Sequence, residues 1–167
     1  MKLLIAGNGM VGHRYVEALI ERYPDLQAAG LEVTVLGEEP RPAYDRVHLS
    51  DFFSGRGADD LSLVPAGFYD RPGLTLRLNA RVASIERRNH TLQLADGEEL
   101  AYDKLVLATG SSPFVPGVPG RDRPHCFVYR TIEDLEGMLA SGAKSKSGVV
   151  VGGGLLGLEC AKALRDM

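Results

Sequence analysis

Apolar residues along the chain cluster in short runs that are separated by polar or glycine-rich turns, and their spacing predicts the elements. An apolar run at positions 3–6 precedes a glycine-rich turn, and a second branched run at 31–36 lies between two glycines. Between them, apolar residues recur at three- and four-residue spacing up to Pro24, as in a helix that packs one face on a sheet. The order strand, glycine turn, helix and strand predicts a parallel βαβ unit.

The middle of the chain has a different pattern. Positions 40–73 contain four prolines and several glycines, which predicts a loop with at most short helices near positions 47–53. Apolar and polar residues then alternate in four stretches, which predict a strand followed by a small antiparallel meander with a turn at Asp96-Gly97. These stretches are 74–78, 82–86, 91–94 and 99–102.

Two later runs repeat the strand-to-turn pattern of the N-terminus. Lys104–Ala108 is a continuous apolar strand that ends at Thr109-Gly110, and Val149–Val151 precedes a second glycine-rich turn and the start of a helix. Two glycine turns predict two nucleotide-binding domains of an α/β, Rossmann-like fold with a parallel sheet. We expect the first domain at residues 1–118 and a truncated second domain at 119–167, because no further strand follows its helix before Met167.

Composition narrows the classes of partner. The 167 residues are 44% hydrophobic and 25% charged, which is typical of a globular protein, and the net charge of −3 comes without a basic stripe that would favour nucleic acid. The first apolar run is too short for a signal peptide, and the run at 149–158 is interrupted by four glycines, which excludes a bilayer span. We therefore expect a cytoplasmic protein without a membrane or nucleic-acid partner.

Cysteine and histidine residues are scattered. Cys126 and Cys160 lie far apart and form no CxxC pair, so we predict no zinc or iron–sulfur site within the chain and expect each cysteine to be a small buried hydrophobic residue. We assign no metal-binding or catalytic role to the histidines, which are His13, His48, His90 and His125.

The first glycine turn has the residue types that a dinucleotide requires. It consists of Gly7, Asn8, Gly9, Met10, Val11 and Gly12. Gly7 allows the tight turn, Gly9 lets the backbone approach a pyrophosphate, and Gly12 allows the helix to pack closely on the strand. The diphosphate then lies at the helix N-terminus. Although such a motif also occurs by chance, its place between a first strand and an amphipathic helix favours a binding site.

Two further markers follow strand ends. An acidic residue after the second strand binds ribose hydroxyls in such folds, and here Glu38 and Glu39 are the candidates. Glu38 comes first after the strand and is preferred; the alternative is a pair of solvated loop carboxylates. The segment Ala108, Thr109 and Gly110 places a hydroxyl and bare backbone at the end of a buried strand.

Together these segments make the chain resemble the pyridine nucleotide-disulfide oxidoreductase type of flavoprotein, which has two dinucleotide-binding domains. The first glycine turn, Tyr102–Gly110 and Val151–Glu159 occur in that family's order. In that family the first turn holds FAD and the second holds NADH or NADPH. The resemblance implies roles for further residues: adenine contact by the backbone of Val82, FAD contact by Thr109, Gly110 and Arg130, NAD(P)H binding by Gly152, Gly154 and Gly157, and approach of Glu159 to the nicotinamide.

The segment after Glu39 points to one branch of the family. Disulfide-reducing members need a cysteine pair here, and peroxidase and oxidase members need a single cysteine, but Pro42–Ser50 contains no thiol. Glu38–Ser50, Cys126–Leu135 and Gly152–Glu159 are similar to the start of the large subunits of assimilatory NAD(P)H nitrite reductases. Asp51 replaces the lysine that is usual in the ferredoxin reductases of this branch. By resemblance Arg46 is the cation nearest the cofactor; the alternative is an ordinary loop salt bridge.

The resemblance implies hydride transfer from NAD(P)H to FAD, followed by electron transfer toward a sirohaem and iron–sulfur centre that reduces nitrite. We expect that centre only in the remainder of the reductase chain, with a small subunit as a possible partner and no catalytic acid or base in this chain. Two alternatives stay open from the sequence: a ferredoxin or rubredoxin reductase, and a nucleotide-binding fragment with no turnover.

Overall fold

The computed structural model describes residues 1–167, which divide into two compact units. The first unit comprises Met1–Tyr44 and Ser62–Gly110, and the second comprises Asp45–Leu61 and Ser111–Met167. None of the helices combines the length and the apolar character that a membrane crossing requires.

All strands lie in the first unit. In chain order they are β1 (Lys2–Ala6), β2 (Glu32–Leu36), β3 (Leu74–Arg77), β4 (Val82–Glu86), β5 (Thr91–Leu94), β6 (Glu99–Ala101) and β7 (Lys104–Leu107). Four of them form a parallel sheet in the order β3-β2-β1-β7, and the other three form an antiparallel meander in the order β4-β5-β6. The predicted α/β fold with a parallel sheet and a small meander is confirmed.

The two faces of the parallel sheet are covered by different elements. Helix α1 (Met10–Arg22) connects β1 to β2, and its Val16 packs with Ile5 and Val33 in a cluster where none of the three side chains is exposed. Leu4 faces the opposite way and packs with Leu92 of the meander, because successive residues of a strand point to opposite faces. Burial of each such aliphatic side chain contributes roughly 1.5–3 kcal/mol.

The meander is connected to the parallel sheet by a charged pair. Its turn forms where the sequence predicts it, since Asp96 Oδ1 accepts a hydrogen bond from the Glu98 N–H at 3.0 Å and Gly97 has a φ of +94°. The adjacent Glu98 carboxylate accepts two hydrogen bonds from the Arg77 guanidinium, at 2.8 and 2.5 Å. This paired geometry joins the end of β3 to the turn between β5 and β6.

The second unit contains the helical segments. A short 3-10 helix at Leu49–Ser54 confirms the helix predicted near positions 47–53. Helices α2 (Ile132–Gly142) and α3 (Leu155–Asp166) follow. Sequence reasoning missed α2, although Thr131 and Asp134 form a capping box in which each side chain accepts a hydrogen bond from the other's backbone N–H.

The prediction of a strand at Val149–Val151 is wrong. These residues form no strand, and the side chains of Val149 and Val151 are 87% and 86% exposed. An apolar run becomes a strand only when a neighbouring strand accepts and donates its backbone hydrogen bonds. No strand of the second unit is available to pair with it.

The expectation of buried cysteines is also wrong for Cys126, which is exposed, whereas Cys160 is half-buried. Cys126 precedes α2 in a segment without helix or strand, where no sheet or helix face covers its side chain.

Candidate dinucleotide-binding site

The first glycine turn lies where an open parallel sheet offers a crevice. From β1 the chain runs through α1 to β2 on one side, whereas β7 pairs on the other side. The connections therefore diverge at β1, and such folds bind ligands outside the carboxyl ends of the strands at this point. The segments that follow β1, β2 and β7 meet there.

Gly7 and Gly12 are required by close backbone contacts. Gly7 has a φ of +115°, and a Cβ at this position would lie 2.1 Å from the carbonyl oxygen of Ala108. A Cβ at Gly12 would lie 2.1 Å from the carbonyl oxygen of Gly7. The Gly7 N–H donates to the Leu36 carbonyl at 2.8 Å, and the Ala108 N–H donates to the Ala6 carbonyl at 2.8 Å. These contacts hold the turn tightly between β2 and β7.

Gly9 differs from both, because no other residue crowds it. A Cβ at Gly9 would have no neighbouring atom within 4 Å. Gly9 is the N-cap of α1, no side chain caps this helix end, and its first turn contains no acidic residue. The first N–H groups of a helix lack intrahelical partners, and the helix dipole makes this end positive. Open space beside this helix end fits an anionic group such as a diphosphate.

Asn8 adds a polar side chain to the turn. Its Oδ1 accepts a hydrogen bond from the Tyr69 hydroxyl at 3.3 Å, but its buried Nδ2 has no partner. Its side chain packs on Gly37, where an added Cβ would lie 3.0 Å from the Asn8 Cβ. An unpaired buried donor costs about 1–3 kcal/mol, so this position fits a ligand that brings an acceptor oxygen.

The two acidic candidates after β2 have different surroundings. The Glu38 side chain is 65% exposed, and its Oε2 lies 3.8 Å from Nε of Arg81. Glu39 is half-buried and accepts a hydrogen bond from the Tyr44 hydroxyl at 2.6 Å. The structure thus orients Glu39 and leaves Glu38 accessible, and the preference for Glu38 as the ribose ligand stays a prediction.

The segment before β4 lies along the same loop. The Ala80 N–H donates to the Gly37 carbonyl at 2.7 Å and the Asn79 N–H donates to the Glu39 carbonyl at 3.2 Å. These bonds bring the start of β4, where Val82 lies half-buried, close to the end of β2. On the other side of the turn, Thr109 and Gly110 are exposed directly after β7.

The second glycine turn repeats the first. Gly152 has a φ of +131°, and a Cβ at Gly157 would lie 2.1 Å from the Gly152 carbonyl oxygen, as in the corresponding pair of the first turn. Gly154 is the N-cap of α3, has no side-chain cap, and would have no atom within 4 Å of a Cβ. Glu159 is exposed in the second turn of this helix. The first residues of α3 are exposed too; Leu155, for example, is 83% exposed.

Two other predicted site residues meet in the second unit. Arg46 Nη1 donates a hydrogen bond to the Arg130 carbonyl oxygen at 3.1 Å, and both residues are half-buried. The neighbouring Tyr129 ring stacks on Phe53, with centroids 6.2 Å apart. Burial, together with the charge of Glu159, raises the pKa of Tyr129 to about 12. The hydrogen bond from Arg46 therefore joins Pro42–Ser50, the segment without a thiol, to the segment that precedes α2.

Asp45 and His48 form an ion pair in the same thiol-free segment, with Oδ2 and Nδ1 2.7 Å apart. Burial acts to raise the pKa of Asp45, but the hydrogen bonds from His48 and the Val47 N–H outweigh it and lower the pKa. The hydrogen bond to Asp45 and its charge raise the pKa of His48. The pair is therefore formed between the two pKa values and is lost as pH falls through that of Asp45 or rises through that of His48.

Asp45→Asn is expected to lower the pKa of His48 toward its ordinary value, because the amide keeps the acceptor oxygen for the Val47 N–H but loses the charge. NMR titration of the His48 ring measures this. Asp51→Asn is the control, since Asp51 raises the pKa of His48 less than Asp45 does. An equal effect of the two substitutions would contradict the assignment of the pair.

Comparison with known proteins agrees with this geometry. Residues 1–167 match the family model of the pyridine nucleotide-disulphide oxidoreductases. The chain is 48% identical over 167 residues to the nitrite reductase (NADH) large subunit of Escherichia coli (strain K12), covering 100% of this chain and 19% of the relative. It is 50% identical over 165 residues to the nitrite reductase [NAD(P)H] large subunit of Klebsiella oxytoca, covering 99% and 17%.

A solved structure resembles the chain over nearly its whole length. The ferredoxin reductase of Rhodopseudomonas palustris has a TM-score of 0.85 and 30% identity, covering 98% of this chain and 40% of that chain. The chain spans less than a fifth of the length of the two nitrite reductase subunits, at 19% and 17%. Since the family model matches every residue from 1 to 167, the chain belongs to the pyridine nucleotide-disulphide oxidoreductase family.

Proposed function

We propose that the first glycine turn binds the diphosphate of FAD and the second that of NAD(P)H, so that the chain is an electron-transfer module of a flavoprotein reductase. The repeated turn carries this proposal. Each copy has a glycine whose Cβ would collide with the carbonyl oxygen of the first glycine of the turn, an open N-cap glycine and a helix end without a side-chain cap. Two equivalent anion-binding helix ends are what a protein needs to hold two dinucleotides.

The residues of the first unit fit FAD. The N–H groups at the start of α1 would hold the diphosphate, Glu38 or Glu39 the ribose hydroxyls, and the backbone at Val82 the adenine. Thr109 and Gly110 lie on the other side of the turn. FAD, when bound, accepts a hydride as two electrons and passes electrons on one at a time.

The residues of the second unit would serve NAD(P)H and the flavin ring. Gly152, Gly154 and Gly157 would hold the second diphosphate, and Glu159 would face the nicotinamide. By the family resemblance, Arg46, whose guanidinium donates to the Arg130 carbonyl oxygen, and Arg130 would supply positive charge to the FAD. No side chain is required as an acid or base, so the protein acts by orienting the two nucleotides.

For the electron acceptor we propose the sirohaem and iron–sulfur centre of a nitrite reductase, located elsewhere in a longer chain and assisted by a small subunit. The alignment with two nitrite reductase large subunits, at 48% identity over 167 residues and 50% identity over 165 residues, supports this assignment. A ferredoxin-type acceptor is the second candidate, favoured by the similarity to the ferredoxin reductase. A fragment that binds nucleotide without turnover is the third.

Two measurements test the proposal. The purified chain is expected to quench FAD fluorescence on titration, with a saturable 1:1 endpoint, whereas riboflavin, which lacks the diphosphate, is expected to bind far more weakly. Equal binding of both would contradict the diphosphate assignment. In a longer chain that carries these residues, NAD(P)H oxidation that depends on nitrite supports the nitrite reductase assignment, and oxidation that depends only on ferredoxin supports the second candidate.

A further inference from the structure

A series of contacts leads from the first glycine turn to an exposed arginine, Arg81. Asn8 of the turn packs on Gly37, where an added Cβ would lie 3.0 Å from the Asn8 Cβ. Glu38 follows Gly37 in sequence, and its Oε2 lies 3.8 Å from Nε of Arg81. All of these residues belong to the first unit. In order of contact, the series therefore runs from the turn through the Glu38 carboxylate to the Arg81 guanidinium.

The backbone around Arg81 is held by hydrogen bonds on both sides. The Ala80 N–H donates to the Gly37 carbonyl at 2.7 Å, and the Ala95 N–H donates to the Arg81 carbonyl at 2.8 Å. The first bond ties the residue before Arg81 to the end of β2, and the second ties Arg81 itself to the meander. The position of the Arg81 Cα beside the end of β2 is thus set by the fold and not by the ion pair.

The ion pair leaves the guanidinium accessible. The side chains of Arg81 and Glu38 are 73% and 65% exposed, and their separation of 3.8 Å is longer than a hydrogen bond. Ion pairs between exposed side chains contribute little to stability, because water and salt screen them. The pair therefore has little value as a structural contact, whereas its planar cation is open to a ligand.

The groups of FAD occur in the same order as these contacts. Its diphosphate is followed by the ribose and then by the adenine ring. With the diphosphate at the N-terminus of α1 and the ribose at the acidic residue after β2, the adenine lies next beyond that acid. On the protein, the side chain that follows Glu38 in the series is Arg81. Val82, whose backbone is proposed to contact the adenine, is the next residue in the sequence.

We propose that Arg81 binds the adenine base of FAD, with the plane of its guanidinium stacked on the ring and its edge toward the Glu38 carboxylate. This inference rests on the proposed function of the first glycine turn and names the side chain that recognises the adenine there. A guanidinium is planar, so it can stack on an aromatic ring while its N–H groups point in the plane toward a carboxylate. Adenine offers a large flat face for this contact.

Fluorescence titration with FAD compares three variants. Arg81→Met removes the guanidinium but keeps a long side chain, and it is expected to weaken FAD binding roughly fivefold. Arg81→Lys keeps the charge but loses the planar group, and it is also expected to bind FAD more weakly than the wild type. Arg88→Met is the matched control, because it removes the same charge beyond the other end of β4, and it is expected to retain the wild-type affinity.

NMR of the FAD complex tests the stacking directly. Nuclear Overhauser contacts are expected between the adenine protons and the side-chain methylenes of Arg81, and none are expected to Arg88. Wild-type affinity in Arg81→Met, full recovery in Arg81→Lys, or a complex without contacts between adenine and Arg81 would each overturn this inference while the proposed function stands. A wild-type chain that does not bind FAD at all would contradict the proposed function as well.

Discussion

Gly9→Val is expected to weaken FAD binding at least about 100-fold, a loss of roughly 3 kcal/mol, while leaving the free energy of unfolding within about 1 kcal/mol of wild type. The two effects separate because a Cβ at Gly9 would have no atom within 4 Å apart from those of its chain neighbours. The valine side chain therefore starts in open space, where it would occupy the volume that the diphosphate requires at the helix N-terminus. Gly9 has an extended backbone, with φ −90° and ψ −171°, which valine adopts readily.

Fluorescence titration with FAD and urea denaturation of the same preparation measure both quantities. Gly154→Val is the matched control, because Gly154 is the corresponding open N-cap glycine of the second turn. It is expected to leave FAD binding unchanged. If Gly154→Val weakens FAD binding as much as Gly9→Val, the assignment of the first turn to FAD is wrong.

Gly12→Ala is expected to destabilise the first unit by roughly 3 kcal/mol or more, even without ligand. The new methyl group would lie 2.1 Å from the Gly7 carbonyl oxygen. Gly7 cannot move away, because it is itself pressed against the Ala108 carbonyl and bonded to Leu36. The helix must therefore separate from β1, which opens the core around Val16.

Gly157→Ala is the comparison for this second prediction. A Cβ there would approach the Gly152 carbonyl at the same 2.1 Å, but the surrounding turn is exposed and pairs with no strand. This turn is expected to shift, so that the substitution lowers the free energy of unfolding by less than about 1 kcal/mol. Urea unfolding followed by circular dichroism compares the two variants. Equal losses in the free energy of unfolding would mean that the contacts with β2 and β7 do not make the first turn more rigid than the second.

Local patterns predicted most of the first unit. The run before Gly7, the helical spacing through Val16 and the alternation in the meander each depend on residues that are neighbours in sequence, so the elements form where their periods indicate. The run at 149–151 has the same composition as a strand but no partner, and pairing is not a local property. Helix α2 also has a local signal, the capping box of Thr131 and Asp134, but unlike α1 and α3 it does not follow a glycine turn.

The site was predictable only in part. The glycine positions follow from a motif, but the difference between Glu38 and Glu39 depends on the hydroxyl of Tyr44, which the following loop brings back. The hydrogen bonds of Tyr69 with Asn8 and with His13 join residues that are 61 and 56 positions apart, and no periodic pattern marks such contacts. Which side chains support a motif is decided by tertiary packing.

Strand β1 is short, and its position along its two neighbours has a consequence for evolution and design. Ala6 is level with Leu36 and Leu107, so the turn after it begins where the segments after β2 and β7 also begin. Inserting or deleting one residue in β1 would exchange the side chains that face α1 with those that face the meander. It would also displace the turn by about 3.3 Å along the sheet. Related chains are therefore expected to vary in the apolar residue types of this strand but to keep its length.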